Sequence, residues 1–318
     1  MSSILELTKF ITSEFNRSLN SFPLPKKPEY LYEPIKYSLK GKGKRFRPIL
    51  VHLSGRKYKV DPDDIMKISL AVELLHCFTL IHDDIMDSDL TRRSMPTLHK
   101  EYDISTAILA GDAIFTISQL ILNGIEYQPT KFLLLYNQAV LEICEGQALD
   151  KNYEGKEHIT LDDYISMVEK KTGALLAACC YLPAILAGET EDTIKILQKT
   201  GKKLGVAFQI QDDLFEIFGD ETRMGKSLGS DILSNKNTAI AIESRKCFKS
   251  DWNKIIEEFD GKNLDIIRNF LVENKIKNRI EDIAEKHFLS AYDSLTKLGF
   301  DKHSELHKFI KIIQERHN

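Results

Sequence analysis

Three carboxylates, Asp83, Asp84 and Asp87, close a strongly apolar run, Leu74-Leu75-His76-Cys77-Phe78-Thr79-Leu80-Ile81-His82. At helical spacing Asp83 and Asp87 lie one turn apart on one face, and Asp84 neighbours Asp87. Like charges so placed repel, and a carboxylate withdrawn from water without a partner is costly. Hard divalent cations relieve both penalties. Mg2+ in particular takes one or two carboxylates plus the phosphate oxygens of a substrate. A second cluster, Gln209-Ile210-Gln211-Asp212-Asp213-Leu214-Phe215-Glu216, repeats the geometry with Asp212 and Glu216 one turn apart. A single Asp-Asp pair reads as a solvated helix end, since acids are usually exposed. Two matching clusters on apolar helices read instead as two faces turned toward one cavity.

The cations are informative by position. Gly41-Lys42-Gly43-Lys44-Arg45-Phe46-Arg47-Pro48 is a glycine-bearing turn that opens a helix, which places Lys44 and Arg47 at a positive helix end suited to an anion. Arg92 and Arg93 follow the first cluster within reach of its carboxylates, to pair with them or with diphosphates. Lys170-Lys171-Thr172-Gly173 lies among apolar residues, where a lysine can also be an ordinary snorkelling side chain. Gly225-Lys226 and Lys236 follow the second cluster.

The elements that must position these groups read as helices. The chain has 318 residues, with only 16 Gly and 9 Pro, and its apolar residues mostly recur at three and four. That predicts an all-α protein, a single domain over residues 1–318, built as a bundle of helices. Ile4, Leu7, Ile11, Phe15 and Leu19 line a first helix, and prolines 23, 25 and 28 end it. A second helix covers 30–39. Asp61-Pro62 starts a long one that reaches Asp87, about 38 Å at roughly 1.5 Å per residue. Further helices are expected over 104–125, 130–152, 161–186 and 191–218, with three short ones in 255–318.

Net charge is −3, which excludes a global basic field for nucleic acid. The five cysteines form no C-x-x-C motif and read as buried thiols of a reducing compartment. Residues 1–20 carry Glu6 and Glu14, unlike a secretory signal, and the uncharged run near 174–188 is too short to span a bilayer. A cytoplasmic protein with no integral membrane segment is expected.

Taken together these motifs resemble the trans-isoprenyl diphosphate synthases, the polyprenyl synthetase family, over about 30–240. Asp83-Asp84-Ile85-Met86-Asp87 is similar to the family's first aspartate-rich motif, Asp212-Asp213-Leu214-Phe215-Glu216 to its second, and Gly43-Lys44-Arg45-Phe46-Arg47-Pro48 to its basic motif. Three positions depart: Lys42 and Ser94 stand where the family has glycine, and Glu216 where it has aspartate. The resemblance implies an all-α fold around a cavity, commonly a homodimer, that joins isopentenyl diphosphate to allylic diphosphates. It assigns the isopentenyl diphosphate to Lys44, Arg47, His76 and Arg93. It assigns the allylic diphosphate to Arg92, Lys171, Thr172, Gln209, Lys226 and Lys236. Asp83, Asp87 and Asp212 would hold Mg2+, with roughly three ions per active site, as carboxylates plus diphosphate oxygens suit that ion. Asp84, Asp213, Lys171 and Lys226 join them as catalytic residues.

The chemistry explains the charge. Ionising an allylic diphosphate gives a carbocation and a leaving group of growing negative charge, which cations must meet where it develops, in a dry chamber. No side chain is an obvious base, and the departing diphosphate fits that role; His82 reads as structural. Phe78 lies five residues before Asp83, about 7.5 Å along the helix. The resemblance makes it a floor to the cavity and favours a C20 product, geranylgeranyl diphosphate, as in archaeal-type synthases; farnesyl or longer chains, C25 and above, are the alternative. A terpene cyclase would not need the Lys44, Arg47, His76 and Arg93 site, and a non-catalytic partner subunit would not need both acidic clusters.

Overall fold

The computed structural model describes residues 2–41, 43–219, 229–261 and 263–315. Its helices are α1 (Ser2–Asn20), α2 (Glu29–Leu39), α3 (Phe46–Lys57), α4 (Pro62–Met86), α5 (Leu98–Glu101), α6 (Ile104–Leu122), α7 (Pro129–Tyr153), α8 (Leu161–Val168), α9 (Ala174–Leu186), α10 (Glu191–Phe218), α11 (Ser230–Leu233), α12 (Ala239–Glu258), α13 (Asp265–Glu273), α14 (Ile276–Lys297) and α15 (Glu305–Gln314). Among the described residues the strands are β1 (Thr91–Arg92) and β2 (Met95–Pro96), a single antiparallel hairpin. The fold class is all-α, as the periodicity predicts. The chain divides into two compact units. One comprises Met1–Asn137, Ala178–Lys195 and Ser304–Lys308; the other comprises Gln138–Ala177, Ile196–His303 and Phe309–Asn318.

The first unit is organised on α4. Asp61 caps this helix by accepting from the Asp63 amide at 2.8 Å, Pro62 occupies its first position, and Asp63 and Asp64 complement the positive end of its dipole. Leu70, Leu74 and Ile81 of α4 are buried with Phe15 and Leu19 of α1, Ile35 of α2, and Ala107, Ala110 and Ile114 of α6. Each such large side chain contributes about 1.5–3 kcal/mol by leaving water. The α1 face is as expected except that Leu7 is only half-buried. Gly111 lets α6 approach α4: a Cβ there would stand 2.5 Å from His82 Nε2. By length and composition alone α4 and α6 could cross a membrane. The most apolar stretch of α4 is 56% buried, that of α6 only 33%.

The second unit packs Tyr164, Met167 and Val168 of α8 and Val206, Ile210 and Ile217 of α10 against α12, α13 and α14. Thr160 and Asp163 cap α8 reciprocally, a full capping box. The single helix expected over 161–186 is interrupted at Glu169–Gly173 by one π-helical turn, a feature that collects at functional sites. Gly146 of α7 permits it, since a Cβ there would lie 2.2 Å from the Lys171 amide nitrogen. The three helices expected in 255–318 are α13, α14 and α15, though α14 runs for 22 residues. All five cysteines are free thiols; Cys144 is exposed, against the expectation of burial.

Candidate active site

In the first unit, Asp83 and Asp87 are half-exposed in the last turn of α4, where Asp87 is the C-cap and its amide donates to Asp83 O at 2.8 Å. Asp84 is buried, and Arg92 Nε and Nη2 both reach its Oδ1 at 2.5 Å. Burial pushes the Asp84 carboxyl above its usual range, against the pull of Arg92. The middle carboxylate is thus turned inward onto an arginine, and the outer pair is left at the helix end.

The β1–β2 hairpin carries both arginines. Arg92 pairs with Met95, and the two residues between them, Arg93 (φ 52°) and Ser94 (φ 60°), are both left-handed, the signature of a type I′ turn. The hairpin is fastened by Thr97 Oγ1 donating to Asp89 O at 2.7 Å and Tyr37 Oη donating to Pro96 O at 3.0 Å. Arg93 folds back on the basic loop: a Cβ on Gly43 would stand 3.1 Å from Arg93 Nη1 and 3.2 Å from Arg45 Nη1. Behind them lies a cavity of about 80 Å3 lined by Gly41, Glu73, His76, Cys77, Arg92 and Arg93, among others. Burial holds the His76 imidazole well below its ordinary pKa, and Arg47, Arg93, Arg92 and Arg45 press it lower. Burial and the positive charge of these four arginines thus favour the neutral form of His76. Lys44 is exposed on the same loop. Phe78, two residues after His76, meets the His82 ring edge-on at 4.6 Å and stacks on Phe115 of α6 at 5.3 Å.

In the second unit, a hydrogen-bonded chain joins the π turn to α10 and α8. Thr172 Oγ1 donates to Gln209 Oε1 at 3.1 Å, Gln209 Nε2 to Asp213 Oδ1 at 3.1 Å, and Tyr164 Oη to Asp213 Oδ2 at 2.6 Å. Burial, then Asp231, pushes the Asp213 carboxyl up to about 7, against the bonds from Tyr164 and Gln209. Asp212 is half-exposed beside it. Glu216 is buried and accepts from Ser230 Oγ and the Asp231 amide, both at 2.8 Å, so it holds the start of α11. Lys171 Nζ reaches Asp150 Oδ2 at 2.5 Å, and Lys236 Nζ reaches Asp231 Oδ1 at 3.7 Å. Lys226 lies outside the described residues.

The first unit thus brings Arg47, His76, Arg92 and Arg93 together, and the second joins Thr172, Gln209 and Asp213. Sequence reasoning passed over Arg45, Glu73, Phe115, Asp150 and Tyr164. Arg45 lay inside a motif whose other cations drew attention; the others occupy ordinary helical positions that only packing makes significant. Among the described residues, no three His, Cys, Asp or Glu side chains gather closely enough to hold a metal by themselves. The donors offered instead are hard carboxylate oxygens, paired at Asp83 and Asp87, a set that fits Mg2+ completed by phosphate oxygens.

A sequence model described as polyprenyl synthetase matches residues 28–270. A geranylfarnesyl diphosphate synthase of Natronomonas pharaonis is 38% identical over 238 residues, covering 69% of this chain and 70% of that protein. A geranylgeranyl diphosphate synthase of Methanosarcina mazei is 38% identical over 221 residues, covering 69% and 68%. A crystal structure of geranylgeranyl pyrophosphate synthase superimposes with a TM-score of 0.90 at 30% identity, covering 98% of this chain and 99% of that one.

Proposed function

The chain belongs to the polyprenyl synthetase family of prenyltransferases, and from that premise we propose that it joins isopentenyl diphosphate head to tail with allylic diphosphates to make geranylgeranyl diphosphate, C20. The observation that carries this reading is the cavity lined by His76, Arg92 and Arg93, with Arg93 folded against the basic loop that bears Lys44 and Arg47. A neutral imidazole can donate to one diphosphate oxygen while Lys44, Arg47 and Arg93 meet its charge. A cyclase, which takes a single allylic diphosphate, has no use for such a site.

Asp83, Asp87 and Asp212 are the carboxylates that would hold Mg2+ in this Mg2+-dependent family, with the count of three ions part of the proposal. Mg2+, when bound, supplies positive charge that stabilises a diphosphate leaving group. Arg92, Lys171, Lys226 and Lys236 orient the allylic diphosphate and neutralise the charge that grows as its C–O bond breaks. Thr172 and Gln209 bind the same diphosphate, held in place by their hydrogen bonds to each other and to Asp213. The isopentenyl double bond forms the new C–C bond, and the proton lost from it leaves with the diphosphate. The reaction needs the carbocation kept from water, and apolar side chains on the helix before each acidic cluster are suited to that.

The protein is proposed to work in the cytoplasm as a homodimer, in which a second copy covers the exposed apolar side chains of α6, Ile104, Ile108 and Leu120. A longer product is the second reading, favoured by the likeness to a geranylfarnesyl diphosphate synthase. Radiolabelled isopentenyl diphosphate, offered with C5, C10 or C15 primers and Mg2+, tests both. Label in C20 alcohols after hydrolysis is expected; label beyond C20 supports the second reading, and no incorporation with any primer overturns both.

A further inference from the structure

Arg45 sits in the middle of the basic loop, yet its guanidinium points into the protein. Nη1 donates to Glu73 Oε1 at 2.6 Å, Nε to Asn16 Oδ1 at 2.8 Å, and Nη2 to Gly41 O at 3.3 Å. The guanidinium carbon lies 5.5 Å from the centre of the Phe15 ring. The Arg45 and Glu73 side chains are only 8% and 7% exposed. Three elements meet here: α1 through Phe15 and Asn16, the loop through Gly41, and α4 through Glu73. Arg45 is also the N-cap of α3 and is left-handed (φ 50°, ψ 35°), a conformation that a side-chain-bearing residue keeps only when its surroundings enforce it. Lys44 precedes it, Arg47 stands in the first turn of α3, and Glu73 lies three residues before His76.

We propose that Arg45 is a positioning residue: its buried pair with Glu73, backed by Asn16 and Phe15, fixes the backbone that presents Lys44 and Arg47 to the isopentenyl diphosphate. The inference rests on the reading above that Lys44, Arg47, His76 and Arg93 form that site. Charge and position predict opposite signs here. Glu73 is the carboxylate facing Arg45 and Arg93. Removing its charge makes the site more positive, so a purely electrostatic role predicts tighter diphosphate binding. A positioning role predicts weaker binding, because the loop loses its anchor.

The test is steady-state kinetics of the full chain with Mg2+, separating KM for isopentenyl diphosphate from KM for the allylic primer, well below each variant's unfolding temperature. Glu73→Gln should raise the isopentenyl KM about tenfold, and Asn16→Ala about threefold, as misplacement of a binding group does, with the allylic KM within about twofold. Arg45→Lys, which can keep Glu73 but not Asn16, should fall between Glu73→Gln and the parent. An isopentenyl KM that falls or stays level in Glu73→Gln, or two KM values that rise together, overturns the proposal. If Glu73→Gln does not fold, Asn16→Ala decides, since its half-buried side chain leaves no stranded charge; an unchanged isopentenyl KM there overturns it. Arg47→Ala is the control: if it leaves the isopentenyl KM unchanged, the site reading beneath has failed, whereas an impaired Arg47→Ala beside an unaffected Glu73→Gln sinks the clamp alone.

Discussion

Tyr164 Oη donates to Asp213 Oδ2 over 2.6 Å, and both groups are buried. The bond ties α8 to the acidic turn of α10, on which Gln209 and, through it, Thr172 also depend. Tyr164→Phe removes the donor and leaves a buried carboxylate short of one partner, at a cost of about 1–3 kcal/mol. The Asp213 carboxyl, already raised by burial, should rise further, because the tyrosine bond is among the contacts that lower it. Thermal unfolding should register the lost stability. Kinetics should show a larger KM for the allylic primer than for isopentenyl diphosphate, since Arg47 and His76 belong to the other unit.

Ser94 stands where the family resemblance expects glycine, and it is left-handed at φ 60° in the type I′ turn that carries Arg93. A non-glycine residue in this region is unfavourable by about 1–2 kcal/mol, so Ser94→Gly should stabilise the protein by about 1 kcal/mol after the entropy that glycine adds to the unfolded chain. Chemical denaturation measures it. A lower midpoint for the glycine variant would mean that the serine side chain holds the turn in a way its backbone angles do not reveal.

Lys171 is held by Asp150 at 2.5 Å on a π turn that Gly146 admits. If Lys171 meets the allylic diphosphate, Lys171→Met should lower kcat by about 10²-fold, the usual effect of deleting one group aimed at developing charge. Asp150→Asn should lower it far less, since it only frees the lysine. Equal losses in both variants would recast the pair as a structural contact.

These cases mark what local sequence could and could not show. Helix starts are legible because their signals are local: Asp61-Pro62 starts α4 as its residue types predict. Charges grouped by helical spacing are a local signal too, which is why Asp83, Asp87 and Asp212 are proposed as metal ligands from sequence. What stayed hidden depends on partners distant in sequence. The π turn at Glu169–Gly173 rests on Gly146, more than twenty positions earlier, and nothing in Lys170-Lys171-Thr172-Gly173 announces it. Asp84 matched its neighbours in type, yet Arg92 draws it inward while Asp83 and Asp87 stay half-exposed. Glu216 stands where the family has aspartate, and nothing local announces that its carboxylate accepts from the Asp231 amide.

His52 gives the pH dependence of stability a direction. Burial, with a lesser contribution from Arg56, lowers its pKa from 6.5 to about 4, and its Nε2 has no hydrogen-bond partner among the described residues. Between those values the unfolded chain binds the proton and the folded chain does not. Stability therefore rises with pH across the window from about 4 to 6.5, is fully present above it, and is lost on acidification, by up to about 3 kcal/mol. His76 acts with the same sign. His52→Leu should flatten this slope in part while leaving the isopentenyl KM unchanged. Unfolding midpoints of parent and variant at pH 5 and pH 7 provide the check, and parallel pH profiles would show that His52 titrates over the same range folded as unfolded.

Phe78 lies deeper along α4 than Asp83, backed by Phe115 and flanked by His82. If the growing chain runs down α4 from the acidic cluster, the Phe78 ring is the first bulky group it meets. Phe78→Ala opens the space of one ring but leaves Phe115 standing on the neighbouring helix. The product should therefore lengthen by a limited number of isoprene units rather than without bound. Because Phe78 is only half-buried, the stability loss should sit near or below the lower end of the ~3–5 kcal/mol typical of truncating a core phenylalanine. Sizing the hydrolysed products of the variant separates the outcomes: a shift beyond C20 places the floor at Phe78, a further shift in the Phe78→Ala/Phe115→Ala double variant makes the floor a pair of stacked rings, and an unchanged distribution removes Phe78 from the role.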